Sequence, residues 1–401
     1  MTPIQKRVDY PETGILLLFA CRYAVPDGTP VTQCPHLAGV AASSDAAGDR
    51  AGWLDSGQSP AIVEPYFDTQ MDGWVLSRYA DVLAAFRSPD LWPTGPTSKR
   101  KQSAVDLAAR LKMRAETTQA LSRASLRSWR NQMLNDARAR TAAFDFNRPM
   151  DLIQDYALPV CLALAIQVTH PTCDDPDRLF ALAVRIAAAA EEPFDEQLKA
   201  QSKVASAELQ EFFPSGPESL RESGFVGLSR TLVHLMGNMW FALLRHPEEW
   251  KRLHAQPAST QPTLVARSME ELLRFAGLTR LLFRRAVADT TVNGLHIQQG
   301  DRVILRILAA NRDQERFPDP DVLSVNRPRL VHLSLGAGRH HCVGAPLIRA
   351  AAVAATLPLI ERFPRLRLLE PVPWRGGSGY SAPASLFVMD EPARSASVQA
   401  V

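Results

Sequence analysis

A glycine-rich segment near the carboxyl end of the chain presents one cysteine, Cys342, and carries the clearest chemistry in the sequence. It reads Leu-Gly-Ala-Gly-Arg-His-His-Cys-Val-Gly over residues 335–344. Gly336, Gly338 and Gly344 permit backbone angles and close approaches that side chains prevent, so the loop can turn the sulfur toward a flat ligand. The helix predicted to follow would bring its positive amino-terminal end close to the sulfur and stabilise a thiolate. A thiolate held in this way suits haem iron. A buried structural cysteine in a tight turn is the alternative when the string Cys-Val-Gly is taken alone.

Two side chains upstream of this loop are spaced to meet on a helix. Glu271 and Arg274 are three residues apart, so both lie on one face of the helix predicted over residues 262–275. Taken alone, such a pair is usually a salt bridge on a protein surface. A proline-punctuated stretch follows at residues 317–328, and it contains Arg327.

The string at residues 335–344 resembles the haem-binding signature of the cytochromes P450, Phe-Gly-x-Gly-x-His-x-Cys-x-Gly. It fits at every position except the first, where Leu335 replaces the aromatic residue. The resemblance implies that Cys342 is the axial ligand of the iron in haem b (iron protoporphyrin IX). Leu335 would then pack beside the sulfur and keep that side apolar, while the reduction potential of the iron would differ from that set by the usual aromatic residue. His340 matches the position that usually holds a haem propionate.

The resemblance extends over about residues 72–389. Glu271 and Arg274 match the family's Glu-x-x-Arg, and Arg327 falls where a proline-rich stretch supplies an arginine that joins this pair. The family therefore implies a buried network of the three side chains, which fixes geometry more than it adds stability. Its expected role is to hold the core under the haem.

Further haem contacts follow from the resemblance. Arg284 opens the strand after the Glu-x-x-Arg helix, where the family commonly places a propionate-binding arginine. Bacterial members usually carry His-x-x-x-Arg on another helix that meets the propionates, and this sequence has Arg114 and Thr118 there. Arg114, His340 and Arg284 are thus expected to share the anchoring.

The predicted long helix departs from the family next to the oxygen site. Residues 227–231 read Gly-Leu-Ser-Arg-Thr, where the family usually has Ala/Gly-Gly-x-Asp/Glu-Thr. Thr231 keeps the oxygen-handling hydroxyl, but Arg230 replaces the acid that relays protons, and a guanidinium that stays charged cannot do that work. One interpretation is that Arg230 pairs with a substrate carboxylate, whose oxygens then take part in acid–base chemistry. The other is that Arg230 points away from the haem and pairs with an acidic residue of a neighbouring helix.

The resemblance also suggests a substrate pocket. Gly227 on the distal helix and the apolar run Leu281, Leu282 and Phe283 would form part of its wall. The basic stretch at residues 97–114 would lie nearby, either steering an anionic ligand or forming a solvated lid.

The elements that must position these residues are mostly helical. The fold class expected is mainly α with a smaller β portion, which the resemblance makes a cytochrome P450 fold in a single haem-enclosing domain. An irregular leader, residues 1–60, is expected before this domain, residues 61–401. Helices are predicted over residues 79–87, 115–144, 150–168, 177–191, 200–213, 220–245, 262–275 and 345–363, and strands over residues 73–77, 283–288, 292–297 and 302–305.

Composition excludes several classes of protein. The chain has 401 residues, 46% of them hydrophobic and 22% charged, which is typical of a globular protein. A formal net charge of +3 is too small to indicate nucleic-acid binding or a polybasic membrane surface. Five unevenly spaced cysteines argue against a disulfide scaffold, and the early apolar run at residues 15–21 is too short to span a bilayer. We therefore expect a cytoplasmic protein with neither nucleic-acid nor membrane partners.

These observations together favour a bacterial haem-thiolate monooxygenase that hydroxylates a small lipophilic molecule. Because Arg230 is basic, this substrate could carry a carboxylate. Arg230 also leaves open an atypical oxidase that performs coupling, desaturation, rearrangement or peroxide-driven chemistry. A third alternative is a haem sensor without turnover. The resemblance implies electrons from a ferredoxin or flavodoxin with a separate NAD(P)H-dependent reductase, docking at the thiolate side near Arg339 and Arg349, and a place in secondary metabolism.

Overall fold

The elements described below come from a computed structural model that describes residues 62–95, 104–145, 148–214, 220–328 and 331–390. The predicted leader, residues 1–60, lies outside these ranges, as do Cys21 and Cys34, so the boundary at residue 60 stays a prediction. In the described part the chain is mainly α with a smaller β portion, as predicted.

The helices follow one another through most of the chain, and strands are concentrated in its second half. In chain order the helices are α1 (Tyr79–Arg87), α2 (Ala104–Ala120), α3 (Arg123–Ala143), α4 (Leu158–Thr169), α5 (Pro176–Glu191), α6 (Glu196–Gln210), α7 (Glu222–Val226), α8 (Leu232–Leu244), α9 (Pro247–His254), α10 (Gln261–Phe275), α11 (Ile307–Ala310) and α12 (Ala345–Arg362). The strands are β1 (Tyr66–Asp68), β2 (Gly73–Leu76), β3 (Leu91–Pro93), β4 (Met150–Asp151), β5 (Leu281–Ala286), β6 (Thr290–Val292), β7 (Leu295–Ile297), β8 (Arg302–Arg306), β9 (Leu366–Leu368), β10 (Trp374–Gly376), β11 (Ser381–Pro383) and β12 (Phe387–Asp390).

Side-chain caps explain where several helices begin. The carboxylate of Asp175 accepts hydrogen bonds from the backbone N–H groups of Asp177 and Arg178, both at 3.1 Å, and a proline occupies the first turn of α5. Ser122 caps α3 in the same way by accepting from the N–H of Ser125 at 3.1 Å. The prediction of one helix over residues 115–144 is therefore wrong, because Ser122 starts a second helix.

Two π-helical turns interrupt stretches that were predicted as regular helix. Leu152–Ala157 is π-helical and follows strand β4, so the predicted helix over residues 150–168 begins later, in α4. Gly227–Thr231 is π-helical and joins α7 to α8, within the helix predicted over residues 220–245. π-Helical turns are rare and are found mostly at functional sites.

The largest sheet has five strands in the order β1-β2-β8-β5-β3. β2 and β8 are parallel, with Trp74 opposite Val303, and the other pairs are antiparallel. The predicted strand over residues 292–297 is wrong: β6 and β7 form a hairpin. Asn293 and Gly294 form its turn with φ angles of 45° and 88°, which a two-residue hairpin turn of this type requires.

The core is built around α8, in which every residue from Leu232 to Leu244 is buried. Its tryptophan, Trp240, is fully buried and donates a hydrogen bond to the hydroxyl of Thr356 on α12 at 3.0 Å. Among the described residues one stretch, Leu152–Thr169, is long and apolar enough to cross a membrane, but 67% of it is buried inside the protein. That burial is the pattern of a core helix.

Candidate active site

The cysteine loop is held tightly between α1 and α12. Gly336 and Gly338 have φ angles of +71° and +66°, in the left-handed region. A Cβ atom at Gly338 would lie 2.5 Å from the carbonyl oxygen of Phe86 on α1. The loop closes on itself because the N–H of Cys342 donates to the carbonyl of Leu335 at 2.7 Å. Gly344 differs, since its φ is −76° and a Cβ there would contact only the Cys342 sulfur, at 3.8 Å.

The electrostatics of Cys342 combine two opposing effects. Burial raises the pKa of the thiol, whereas backbone N–H groups of Gly344 and Ala345 and the charges of Arg114 and Arg349 lower it. Burial is the larger effect, so the expected stabilisation by the start of α12 is present but does not by itself produce a thiolate. A bound cation would supply the missing stabilisation.

Cations converge beside this loop. Arg284 on β5 is only 4% exposed, and its Nη1 donates to the carbonyl of Phe283 at 2.9 Å while its Nε is buried without a hydrogen-bond partner. The Nε2 atom of His340 is buried and unpartnered too. The pKa of His340 is lowered to about 4, first by burial and then by the charges of Arg284, Arg110, Arg339 and Arg114.

Arg114, predicted to bind the cofactor, contacts the cysteine loop directly. Its Nη1 donates to the carbonyl of His341 at 2.8 Å, and its Nη2 lies 3.1 Å from Nδ1 of the same residue. Arg114 therefore ties α2 to the cysteine loop. The hydroxyl of Thr118 donates to the backbone carbonyl of Arg114 at 2.8 Å and offers no cation.

The three residues of the predicted buried network lie together. Both Nε and Nη2 of Arg274 donate to the carboxylate of Glu271 at 2.8 Å, and Nε of Arg327 donates to the same carboxylate at 2.8 Å. Arg274 also donates to the carbonyls of Asn311 and Pro320, at 3.0 and 2.8 Å. The network therefore joins α10 to the proline-rich stretch that precedes the cysteine loop.

A cleft of about 230 Å³ opens between α5, α6, α7 and the π-helical turn Gly227–Thr231, which with α8 forms the distal helix. Its lining comprises Ile186, Ser206, Glu222, Ser223, Val226, Gly227 and Thr231. Gly227 and Thr231 both line this cleft. The predicted wall of Leu281, Leu282 and Phe283 lies elsewhere, on β5, where the Phe283 ring packs edge-to-face against Phe194 at 5.7 Å.

Arg230 packs against α5. Its side chain is 7% exposed, its Nη2 lies 3.7 Å from Oε1 of Glu191, and its guanidinium lies 5.4 Å from the ring centroid of Phe180. The structure thus contains a pair between Arg230 and an acidic residue of a neighbouring helix. Burial first, and then the charge of Arg375, lower the pKa of Arg230 to about 10.

Comparison with known proteins fits this geometry. The family model for cytochrome P450 matches residues 251–364. Cytochrome P450 CYP107DY1 of Priestia megaterium is 41% identical over 138 residues, which are 34% of this chain and 32% of that protein. Vitamin D(3) 25-hydroxylase of Pseudonocardia autotrophica is 27% identical over 335 residues, 74% of this chain and 81% of that protein. The chain belongs to the cytochrome P450 superfamily.

Solved structures show the same fold. P450BioI, in complex with acyl carrier protein that carries hexadec-9Z-enoic acid, has a TM-score of 0.71 at 23% identity, covering 82% of this chain and 94% of that one. CYP109E1 of Bacillus megaterium, in complex with testosterone, has a TM-score of 0.72 at 19% identity, covering 85% and 97%. The chain spans about a third of the length of the first curated relatives that it matches.

Haem is the cofactor of cytochromes P450, and the residues present fit it. The unpartnered Nε of Arg284 and Nε2 of His340 lie in a cluster of positive charge, which suits the two propionates of a haem. Cys342 lies two residues after His340 in the cysteine loop, and its sulfur is the donor that a haem-thiolate iron requires. The three cysteines in the described residues, Cys161, Cys173 and Cys342, are all free thiols.

Sequence reasoning missed two groups of this P450. Arg349, expected on the surface that receives an electron donor, is bound by Glu270, with Nε 2.5 Å from Oε1, and His332 lies 3.4 Å from the same carboxylate. Glu191 and Arg375, which surround Arg230, were missed as well. Only the adjacency of Glu270 to the Glu-x-x-Arg pair could have drawn attention to the first group. Nothing in the local sequence marks the second.

Proposed function

We propose that this P450 is a cytoplasmic haem-thiolate monooxygenase that hydroxylates a small lipophilic molecule of the natural-product type. The observation that carries the proposal is the cysteine loop, in which two left-handed glycines place Cys342 near the unpartnered Nε of Arg284 and Nε2 of His340. Two relatives support this class of substrate: the polyketide biosynthesis cytochrome P450 PksS of Bacillus subtilis and nocardicin C N-oxygenase of Nocardia uniformis.

The residues on the thiolate side would hold the cofactor. Cys342 would ligate the iron, Arg284 and His340 would bind the propionates, and Arg114 would keep the loop in place through His341. The carbonyl of Leu335 accepts a hydrogen bond from the N–H of Cys342. The side chain of Leu335 would keep the surroundings of the sulfur apolar. Haem bound in this way supplies the activation of O₂ for insertion into a C–H bond.

The residues on the distal side would position the substrate and its protons. Thr231 presents its hydroxyl at a cleft whose other walls include Ile186 and Val226. Ile186 and Val226 give this cleft apolar surface that suits a small lipophilic molecule, and Ser206, Ser223 and Glu222 add polar groups to it. Leu281, Leu282 and Phe283, which are outside this lining, would supply a second apolar wall from β5.

Electrons would come from a ferredoxin or flavodoxin served by a separate NAD(P)H-dependent reductase. Arg339 is exposed at the cysteine loop and remains a candidate contact, whereas Arg349 is engaged by Glu270. An acidic partner would be steered toward this side of the protein by charge.

A reduced carbon monoxide difference spectrum tests the proposed ligand. The unsubstituted protein should give the thiolate band, and Cys342→Ser should lose it. Retention of the native band by Cys342→Ser would overturn the assignment. Product analysis with supplied ferredoxin, reductase and NADPH should then show label from ¹⁸O₂ in the product.

A second candidate is an atypical oxidase, favoured by the presence of Arg230 at the position of the usual acid. It predicts that peroxide alone supports turnover better than the ferredoxin system does, and that no label from O₂ enters the product. With either function, a carboxylate-bearing substrate would replace Glu191 as the partner of Arg230. Arg230→Gln would then weaken binding of an acid but not of its methyl ester.

A further inference from the structure

Glu191, the last residue of α5, is buried at the junction of three elements. Its side chain is 7% exposed. Arg230 comes from the π-helical turn of the distal helix, His234 from α8 one turn later, and Arg375 from β10. A buried carboxylate is costly unless charges and hydrogen bonds compensate it, and these three side chains surround it.

The two oxygens of Glu191 face different surroundings. Oε1 lies 3.7 Å from Nη2 of Arg230 and 3.7 Å from Nδ1 of His234, whose side chains are 7% and 4% exposed. Oε2 lies 3.4 Å from Nη2 of Arg375, whose side chain is 29% exposed. The carboxylate therefore reaches from a side chain that meets solvent to the buried face of the distal helix.

The inner oxygen is open to a further donor. Oε1 of Glu191 is buried without a hydrogen-bond partner, and so are Nε and Nη2 of Arg230. Burial and the charges of Arg230 and Arg375 hold the pKa of His234 well below its usual value, so this imidazole is neutral. The pKa of Tyr380, a partly buried residue, is raised first by burial and then by the charges of Cys342 and Glu191. The described groups that face Glu191 are thus Arg230, His234, Arg375 and Tyr380.

We infer that Glu191 supplies, from α5, the proton-transferring carboxylate that the sequence lacks at position 230. This inference rests on the proposed monooxygenase function. One proton enters from solvent at Oε2, beside Arg375, and one leaves from Oε1 toward the distal helix next to Thr231. The carboxylate returns to its starting charge after each transfer. Arg230 holds Oε1 in place and moves no proton itself.

Substrate-free oxygen consumption tests proton delivery without knowledge of the substrate. The assay uses the haem-loaded protein, a plant-type [2Fe–2S] ferredoxin, its NADPH-dependent reductase and O₂. Glu191→Gln keeps the shape of the side chain but loses the transferable proton, and we expect its O₂ consumption to fall about 10²-fold, the range typical of a lost general acid–base group. The solvent deuterium isotope effect should rise, and Glu191→Asp should recover part of the rate.

A neighbouring variant provides the control. Glu192→Gln changes the same residue type one position later, where the side chain is only half-buried, and should consume O₂ at the unsubstituted rate. Loss of less than about threefold in Glu191→Gln, with an unchanged isotope effect, would overturn the inference, because general acid–base groups contribute far more. An unsubstituted protein without the thiolate carbon monoxide band, or without NADPH-driven O₂ consumption, would instead refute the proposed function.

Urea unfolding of the same proteins tests the pair of Arg230 and Glu191 independently of activity. Arg230→Glu places two carboxylates together, and Glu191→Arg places three guanidinium groups together, so each should lower the unfolding midpoint. The double variant Arg230→Glu/Glu191→Arg restores the pair in the opposite sense and should recover part of the lost midpoint, because Arg375 still lies beside residue 191. A double variant no more stable than the worse single variant would show that the two side chains do not act as a pair.

Discussion

Replacement of Glu271 by alanine should cost a large part of the stability of this P450. The carboxylate accepts two hydrogen bonds from Arg274 and one from Arg327, all at 2.8 Å, and one from the N–H of Ser324 at 3.2 Å. Arg274 is 1% exposed. Its carbonyl partners cannot replace a negative charge, so Glu271→Ala leaves a buried cation unpaired and should lower the free energy of unfolding by about 3–5 kcal/mol.

Equilibrium urea unfolding followed by circular dichroism measures this loss from the shift in midpoint at an unchanged slope. Glu248→Ala is the matched control, because Glu248 and Lys251 have the same three-residue spacing on a helix but are 76% and 58% exposed. An exposed pair contributes less than about 1 kcal/mol. If Glu271→Ala shifted stability no more than Glu248→Ala does, the network would not be the buried, interdependent unit described above.

Three further predictions follow from the site. Gly338→Ala should fold poorly and retain little haem, because the left-handed φ and the 2.5 Å approach to a carbonyl oxygen leave no room for a Cβ. Gly344→Ala is the control and should retain haem. Haem absorbance per protein after gel filtration compares the two variants, and equal retention would contradict the loop geometry. Burial raises the pKa of Glu270, but His332 and Arg349 outweigh this and lower it to about 2, so its contribution to stability is present above pH about 4.5 and is lost as pH falls toward about 2. Glu270→Gln should flatten stability over that window in acid titrations, and an unchanged slope would refute the assignment. Arg284→Gln should release haem faster to apomyoglobin than the unsubstituted protein does, and an unchanged rate would exclude a propionate contact.

Local signals explain which elements could be predicted from sequence. α1, α5, α10 and α12 agree with prediction to within one residue at each end, because prolines, caps and apolar periodicity fix their limits. Asn293 and Gly294 are a hairpin-type dipeptide, but the residues on both sides were assigned to one strand, so the prediction over residues 292–297 was wrong where β6 and β7 form a hairpin. The π-helical turns could not be predicted, since one extra residue in a turn leaves the apolar pattern almost unchanged.

The residues of the candidate site also divide into those that local sequence predicts and those that depend on long-range packing. Cys342, Glu271 and Arg274 lie in short strings whose spacing is itself the signal. The partner of Arg230 depends on packing between helices, because Glu191 is distant in sequence and no periodicity connects the two residues. The same holds for Arg114, whose bond to the His341 carbonyl crosses 227 positions.

The parallel pairing of β2 with β8 also determines when the largest sheet can form during synthesis of the protein. Trp74 lies opposite Val303, so β2 leaves the ribosome about 230 residues before its partner. At about 5–20 residues per second, the β1–β2 hairpin waits roughly 10–50 s with one hydrogen-bonding edge unpaired. The strand that carries Arg284 pairs with β8 as well, so the sheet and the propionate side of the haem site are completed in the same late interval. The cysteine loop follows β8 in the chain, so Arg284 and Cys342 are in place together only after this late interval.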